Sequence, residues 1–280
     1  MTNRGNRIDA HQHYWTLARD DYGWLTPAVG RIYDDFLPDR LKPHLEKHGM
    51  DGTILVQAAP TRAETEFMLE LADKEPTILG VVGWLDFESD RFVSEWEELA
   101  AHPKFAGIRP MIQDLPSDWI LRGKVLEHVR FLADRGFPID LQANPRHLPY
   151  LFELMSRVPH LAGVIDHLGK PDKDPGGAEA WRVHMKRLAA YPGLMCKLSG
   201  MVPEKDGATW SAEEIVPRAR FAIESFGPER VMFGSDWPVC LLSATYDEVV
   251  ELFEMCVGAL SPEEREDVCG RNALRFYRLG

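Results

Sequence analysis

Cysteine is scarce in this chain of 280 residues: Cys196, Cys240, Cys256 and Cys269 are the whole complement. No two of them form a Cys-x-x-Cys pair, which argues against a disulfide framework and for a reducing compartment. Long apolar runs are missing too. None approaches the ~18 residues of a membrane span, and the polar opening from Thr2 to Asn6 lacks the apolar centre of a secretion signal. A cytoplasmic protein with no membrane partner is therefore expected. Positive charge is short, with 32 Lys and Arg against 44 Asp and Glu and a net charge of −12. That balance argues against nucleic acid as a partner, which would select a basic face. Low-complexity segments and linkers are absent, so residues 1–280 read as one domain.

What is present is alternation. Eight short β-rich apolar runs recur: Arg7–His13, Gly52–Ala58, Ile78–Leu85, Phe105–Ile112, Pro138–Ala143, Leu161–Leu168, Leu194–Gly200 and Arg230–Trp237. Several are continuously hydrophobic, such as Thr53-Ile54-Leu55-Val56, as strands buried on both faces of a parallel sheet are. The segments between them carry helical periodicity: Phe67, Met68 and Leu71 share a face, as do Phe92, Trp96 and Leu99, and Val125, Val129 and Leu132. Gly49, Gly136 and Gly227 stand where left-handed C-caps fall. Ser211–Glu214 and Ser261–Glu264 read as capping boxes. Eight strand-then-helix units predict an α/β fold, a single (β/α)8 TIM barrel. An open doubly wound sheet would carry a glycine-rich phosphate turn after its first strand; histidines stand there instead.

In such a barrel the active site lies at the C-terminal ends of the strands. The first run ends in Asp9-Ala10-His11-Gln12-His13, and on an extended strand Asp9, His11 and His13 would point to one face. The fourth run carries Arg109, the fifth Gln142, the sixth Asp166-His167, the seventh Lys197 and Ser199, and the eighth Ser235-Asp236-Trp237. Polar groups at strand ends of an apolar barrel are costly to bury unless paired or liganded. Six on one rim imply a site. His11, His13, His167 and Asp236 form a three-nitrogen, one-oxygen set suited to one divalent ion, with zinc first among the candidates. The set requires the first and last strands to lie side by side.

Arg109 is the candidate donor to a substrate carbonyl or hydroxyl, with an ordinary ion pair as its alternative. Lys197 is a second cationic donor, or else a lysine on the outer strand face. Gln142 and Trp119 suit a sugar ring or simple rim packing; Trp84 reads as packing. The long connection from Tyr14 to Pro38, rich in Trp15, Asp20, Asp21, Tyr22, Trp24 and Tyr33, either contributes substrate contacts through residues such as Trp24 or tucks its aromatics down as plugs.

Taken in order, Asp9-Ala-His11-Gln-His13, Asp166-His167-Leu-Gly169-Lys-Pro171 and Gly234-Ser-Asp236-Trp-Pro238 resemble the amidohydrolase superfamily. More narrowly they resemble the branch of L-fuconolactonases, L-rhamnonolactonases and 2-pyrone-4,6-dicarboxylate lactonase. Asn272–Tyr277 is similar to that branch's C-terminal helix. The resemblance implies a (β/α)8 hydrolase in which Asp236 activates water against a lactone carbonyl. Arg109 and Gln142 stand where dinuclear relatives keep a bridging lysine or glutamate, which favours one metal at most. The pyrone lactonase is regarded as metal-independent, so catalysis by Asp236 without an ion stays open, with the histidines orienting substrate.

The expected activity is opening of a sugar-derived lactone, L-fuconolactone or a relative, with Asp236, His167 and Arg109 catalytic. Arg109 is the single strand-end arginine, whereas a dicarboxylate would call for several. The alternatives are a metal-assisted decarboxylase of an unsaturated or aromatic acid, a dicarboxylate lactonase, and a binding protein without turnover. A homo-oligomer is compatible with all of them.

Overall fold

The computed structural model describes residues 7–172 and 174–279. Each apolar run contains one strand: β1 (Ile8–Gln12), β2 (Gly52–Val56), β3 (Ile78–Gly83), β4 (Phe105–Ile108), β5 (Ile139–Leu141), β6 (Gly163–Ile165), β7 (Leu194–Leu198) and β8 (Val231–Phe233). They pair in parallel and in sequence order from β1 to β8. Helices α1 (Pro38–His48), α2 (Arg62–Lys74), α3 (Phe92–Ala100), α4 (Gly123–Ala133), α5 (Leu148–Arg157), α6 (Pro175–Leu188), α7 (Ala212–Phe226) and α8 (Tyr246–Val257) follow the strands in turn. This is the (β/α)8 barrel. Two short helices, α9 (Pro262–Glu266) and α10 (Asn272–Phe276), complete the described chain.

The strands read as continuously apolar because both of their faces are covered. Ile8, Ala10, Ile54, Val56, Val82 and Met232 pack inside the barrel with Ala273 and Tyr277 from the C-terminal helix region. The opposite faces join a larger core with the helices, including Leu55, Val81, Ile108 and Leu198. At the seam, Gln12 and Trp237 form an isolated parallel bridge. His13 N donates to Trp237 O at 2.7 Å and Asp236 N to His11 O at 2.8 Å. The first and last strands therefore meet at the rim that carries the histidines and Asp236.

Local signals fared unevenly. Gly49 caps α1 at φ 63°, and Ser261 and Glu264 form the expected reciprocal box. The box expected at Ser211 does not form: its side chain caps nothing, and Glu214 lines a cavity beside Trp210 and Arg218 instead. A reciprocal box stands at Thr245 and Glu248. All four cysteines are free and buried. Among the described residues no helix is long and apolar enough to cross a membrane.

Candidate active site

The site begins with an irregularity in β1. Asp9 pairs with Thr53 and Gln12 with Leu55, so three steps on β1 match two on β2. One extra residue reverses the side-chain alternation. The expectation that Asp9, His11 and His13 share a face is thus corrected. Asp9 turns away from the site and accepts from Ser235 N at 2.8 Å, His11 N at 3.2 Å and Tyr246 Oη at 3.2 Å. It ties the first strand to the loop after β8. Burial holds its carboxyl up at about 6 despite these donors.

His13 and Asp236 meet across the seam. His13 Nδ1 lies 2.7 Å from Val56 O, and a carbonyl only accepts, so this nitrogen carries the proton. Its other nitrogen, Nε2, faces Asp236 Oδ1 at 3.2 Å. Burial raises the Asp236 carboxyl above its ordinary range, opposed by His13. Asp236 adopts left-handed backbone (φ 59°), as does His167 (φ 54°). Such conformations are uncommon outside glycine and cluster at functional sites. His167 Nδ1 rests on Ser199 Oγ at 2.9 Å. Glycine is required behind both imidazoles: a Cβ on Gly200 would stand 2.6 Å from His167 Nδ1, and one on Gly234 2.5 Å from His11 Cβ.

His11 sits deeper, between two cations. Lys197 Nζ is 3.1 Å from its Nδ1 and Arg109 Nη1 is 3.3 Å from its Nε2. Burial, then Lys197 and Arg109, keeps the ring neutral well below the usual histidine range. Beneath it lies a buried polar cluster that no single strand reveals. Lys197 Nζ reaches Asp140 Oδ2 at 2.5 Å and Asp166 Oδ1 at 3.2 Å. Tyr277 Oη donates to Asp140 Oδ1 at 2.8 Å, linking the C-terminal helix region to the site from below. Arg109 Nη1 lies 3.4 Å from Asp166 Oδ2, while its other amino group donates to Gln57 O and Oε1. Asp166 is buried, yet Lys197, His167 and Arg109 hold it below the ordinary carboxylate range.

A mouth of about 230 Å³ opens above these groups, lined by His13, Arg109, Gln142, His167, Asp236 and Trp24 among others. Gln142 Oε1 is buried there without a protein partner. Two residues expected at the mouth are corrected. Lys197 is fully buried, with its ammonium held by two carboxylates beneath His11, so it does not line the mouth. Trp119 packs on Phe87 and lines a neighbouring cleft. In the Tyr14–Pro38 connection Trp15 and Tyr22 are tucked in as plugs, while Trp24 stands 36% exposed and lines the mouth. Sequence reasoning passed over Gln57, Asp140, Lys170 and Glu204. Asp140 alternates with Gln142 on one strand face and was within reach of that signal; the Lys170–Glu204 pair, 2.7 Å apart across two loops, left no local trace.

The donors suit a divalent ion. His11, His167 and Asp236 offer ligand atoms within 4.8 Å of one another. His13 stands outside this trio, with its Nε2 3.2 Å from Asp236 Oδ1. Opposing an ion, each His11 nitrogen also faces a cationic donor.

Comparison with known proteins gives the family. The family model described as amidohydrolase matches residues 8–279. The chain belongs to the amidohydrolase family. Within it, the chain is 38% identical over 278 residues to an L-fucono-1,5-lactonase of Burkholderia ambifaria, covering 98% of this chain and 96% of that one. An L-rhamnono-gamma-lactonase of Scheffersomyces stipitis is 27% identical over 62% of this chain and 59% of its own. A crystal structure of an amidohydrolase from Burkholderia multivorans with bound zinc superposes with a TM-score of 0.91 at 37% identity, over 98% of this chain and all of that one.

Proposed function

We propose that this amidohydrolase opens the ring ester of a sugar-derived 1,5-lactone, of the L-fucono type, to the hydroxy acid, and that it does so in the cytoplasm. The observation that carries the reading is the buried Asp236 carboxylate beside His13 at the floor of a small mouth that is poor in cations. Arg109 and Lys170 are the cations of its lining, against Asp114, Glu204 and Asp236. Lys170 is already paired with Glu204. The protein groups alone therefore give a dicarboxylate or an aromatic acid net negative charge to meet, which does not repel a neutral, hydroxyl-rich ring.

The residues divide the work as follows. Asp236 takes a proton from the attacking water as its oxygen bonds to the lactone carbonyl carbon, and burial makes the carboxyl a stronger base. Arg109 supplies a fixed cation for the charge developing on the carbonyl oxygen. The ring C–O bond then breaks, and Asp236 returns the proton to the departing alkoxide. Gln142, with an unpaired buried acceptor, takes a ring hydroxyl, and Trp24 offers a plane to the C–H face of the ring. His11, His167 and Asp236, with His13 beside Asp236, would hold one divalent ion, zinc being our assignment. Such an ion, when bound, supplies Lewis acidity toward the carbonyl.

The test is a panel of aldono-1,5- and 1,4-lactones followed with a pH indicator, alongside Asp236→Asn. Turnover of a 1,5-lactone is expected to fall at least about 10³-fold in the variant, the loss typical when a proton-transfer group that also binds the reacting centre is removed. Equal rates in the two proteins, or inertness of the wild type toward every lactone, overturns the reading.

A further inference from the structure

We propose that an aromatic cleft beside the mouth is a second sugar subsite, which makes glycosylated lactones, those derived by oxidising disaccharides, substrates of this enzyme. This rests on the lactone reading of the mouth.

The cleft measures about 340 Å³ and lies over the loops that follow β3 and β4, on the same rim as the site. Trp24, Met111 and Asp114 line both cavities, so the two adjoin. Trp24 forms the dividing wall, its indole N–H anchored on Ala58 O at 2.7 Å. Beyond it the cleft is lined by Trp84, which is half-buried, and by Tyr22, Phe87 and Trp119, which are buried. Exposed carboxylates of Asp86, Glu88 and Asp114 contribute to its lining, which contains no Lys or Arg.

The partly exposed indoles of Trp24 and Trp84 beside carboxylate acceptors suit a pyranose: its C–H face packs on the rings and its hydroxyls donate to the carboxylates. An anionic extension would be repelled by Asp86 and Asp114, Glu88 being paired with Arg122 at 3.8 Å. The Trp119 indole N–H, on a residue 5% exposed, has no partner among the described residues, and buried donors are rarely left so in native structures. Size agrees as well. The mouth alone falls below the ~300–1,000 Å³ usual for small-molecule sites, and the cleft brings the combined space into that range.

The experiment takes the aldono-1,5-lactone that the wild type turns over fastest. The same lactone is then prepared with a glycosyl group on each ring hydroxyl in turn. At least one regioisomer is expected to show a KM about tenfold below that of the unsubstituted lactone. Trp84→Ala should raise that KM about tenfold, and Glu88→Gln, at an exposed rim position, about threefold. Both variants should keep kcat/KM for the unsubstituted lactone within twofold, which also shows that they are folded. If every regioisomer is no better than the unsubstituted lactone, or if the variants act equally on both substrates, the subsite is refuted while lactone hydrolysis stands. Inertness toward all lactones instead refutes the lactone reading, and the subsite falls with it.

Discussion

Replacing Lys197 by methionine tests how the barrel holds its charges. The ammonium is fully buried and serves Asp140 Oδ2 at 2.5 Å, Asp166 Oδ1 at 3.2 Å and His11 Nδ1 at 3.1 Å. Methionine preserves most of the volume and removes the charge. Breaking a buried pair costs about 3–5 kcal/mol, a large part of the ~5–15 kcal/mol that stabilises a typical protein. The cost must depend on pH. With the lysine present, burial already holds the Asp140 carboxyl at about 6, above its ordinary 3.8. Below that value Asp140 carries a proton in both proteins, and little is lost through it. At higher pH the wild type pairs the ionised carboxylate with Lys197. The variant must either keep the proton or bury an unpaired charge, so its deficit grows by up to ~1.4 kcal/mol per pH unit. Urea unfolding at pH 5.5 and 8.5 measures this directly. The deficit of Lys197→Met should be larger at pH 8.5 and should shrink when Asp140→Asn is added. Equal deficits at the two pH values, or one below ~1 kcal/mol at pH 8.5, would refute an ionised, lysine-paired Asp140.

Other outcomes follow from the same geometry. Gly200→Ala places a Cβ 2.6 Å from His167 Nδ1 on a backbone with φ 53°; it should cost about 1–3 kcal/mol in thermal or urea unfolding and lower kcat. Arg109→Lys keeps the charge but loses the planar fork that grips Gln57 and reaches Asp166; kcat should drop about 10–100-fold with a smaller change in KM, whereas unchanged kcat would remove Arg109 from the chemistry. Zinc added to chelator-treated protein should bind at one equivalent by calorimetry and raise the unfolding temperature, and Asp236→Asn should weaken both effects. Binding that persists unaltered in the variant would place the ion elsewhere.

Much of the fold was written in local patterns. Continuous apolar runs separated by amphipathic segments mark parallel strands covered on both faces, and the order of polar residues at run ends foretold that His11, His13, His167 and Asp236 would share a rim. Where the reading failed, a local rule met a distant partner. The Ser211 box has the right spelling, yet its side chain caps nothing and Glu214 lines a cavity beside Trp210 and Arg218. Trp119 has the character of a sugar platform, but the Trp24 wall stands between the mouth and the cleft it lines.

By itself, then, the sequence determined the barrel, the rim and most of the chemistry gathered there, because periodicity and residue type are local properties of a chain. Tertiary structure alone decided that Asp9 faces away from the histidines, since one extra residue between Asp9 and Gln12 reverses the alternation of β1. It alone decided that Lys197 points inward to Asp140 and Asp166, residues far from it in the chain. A buried cation settles where opposite charges compensate its lost water, and that place exists only once the barrel has closed.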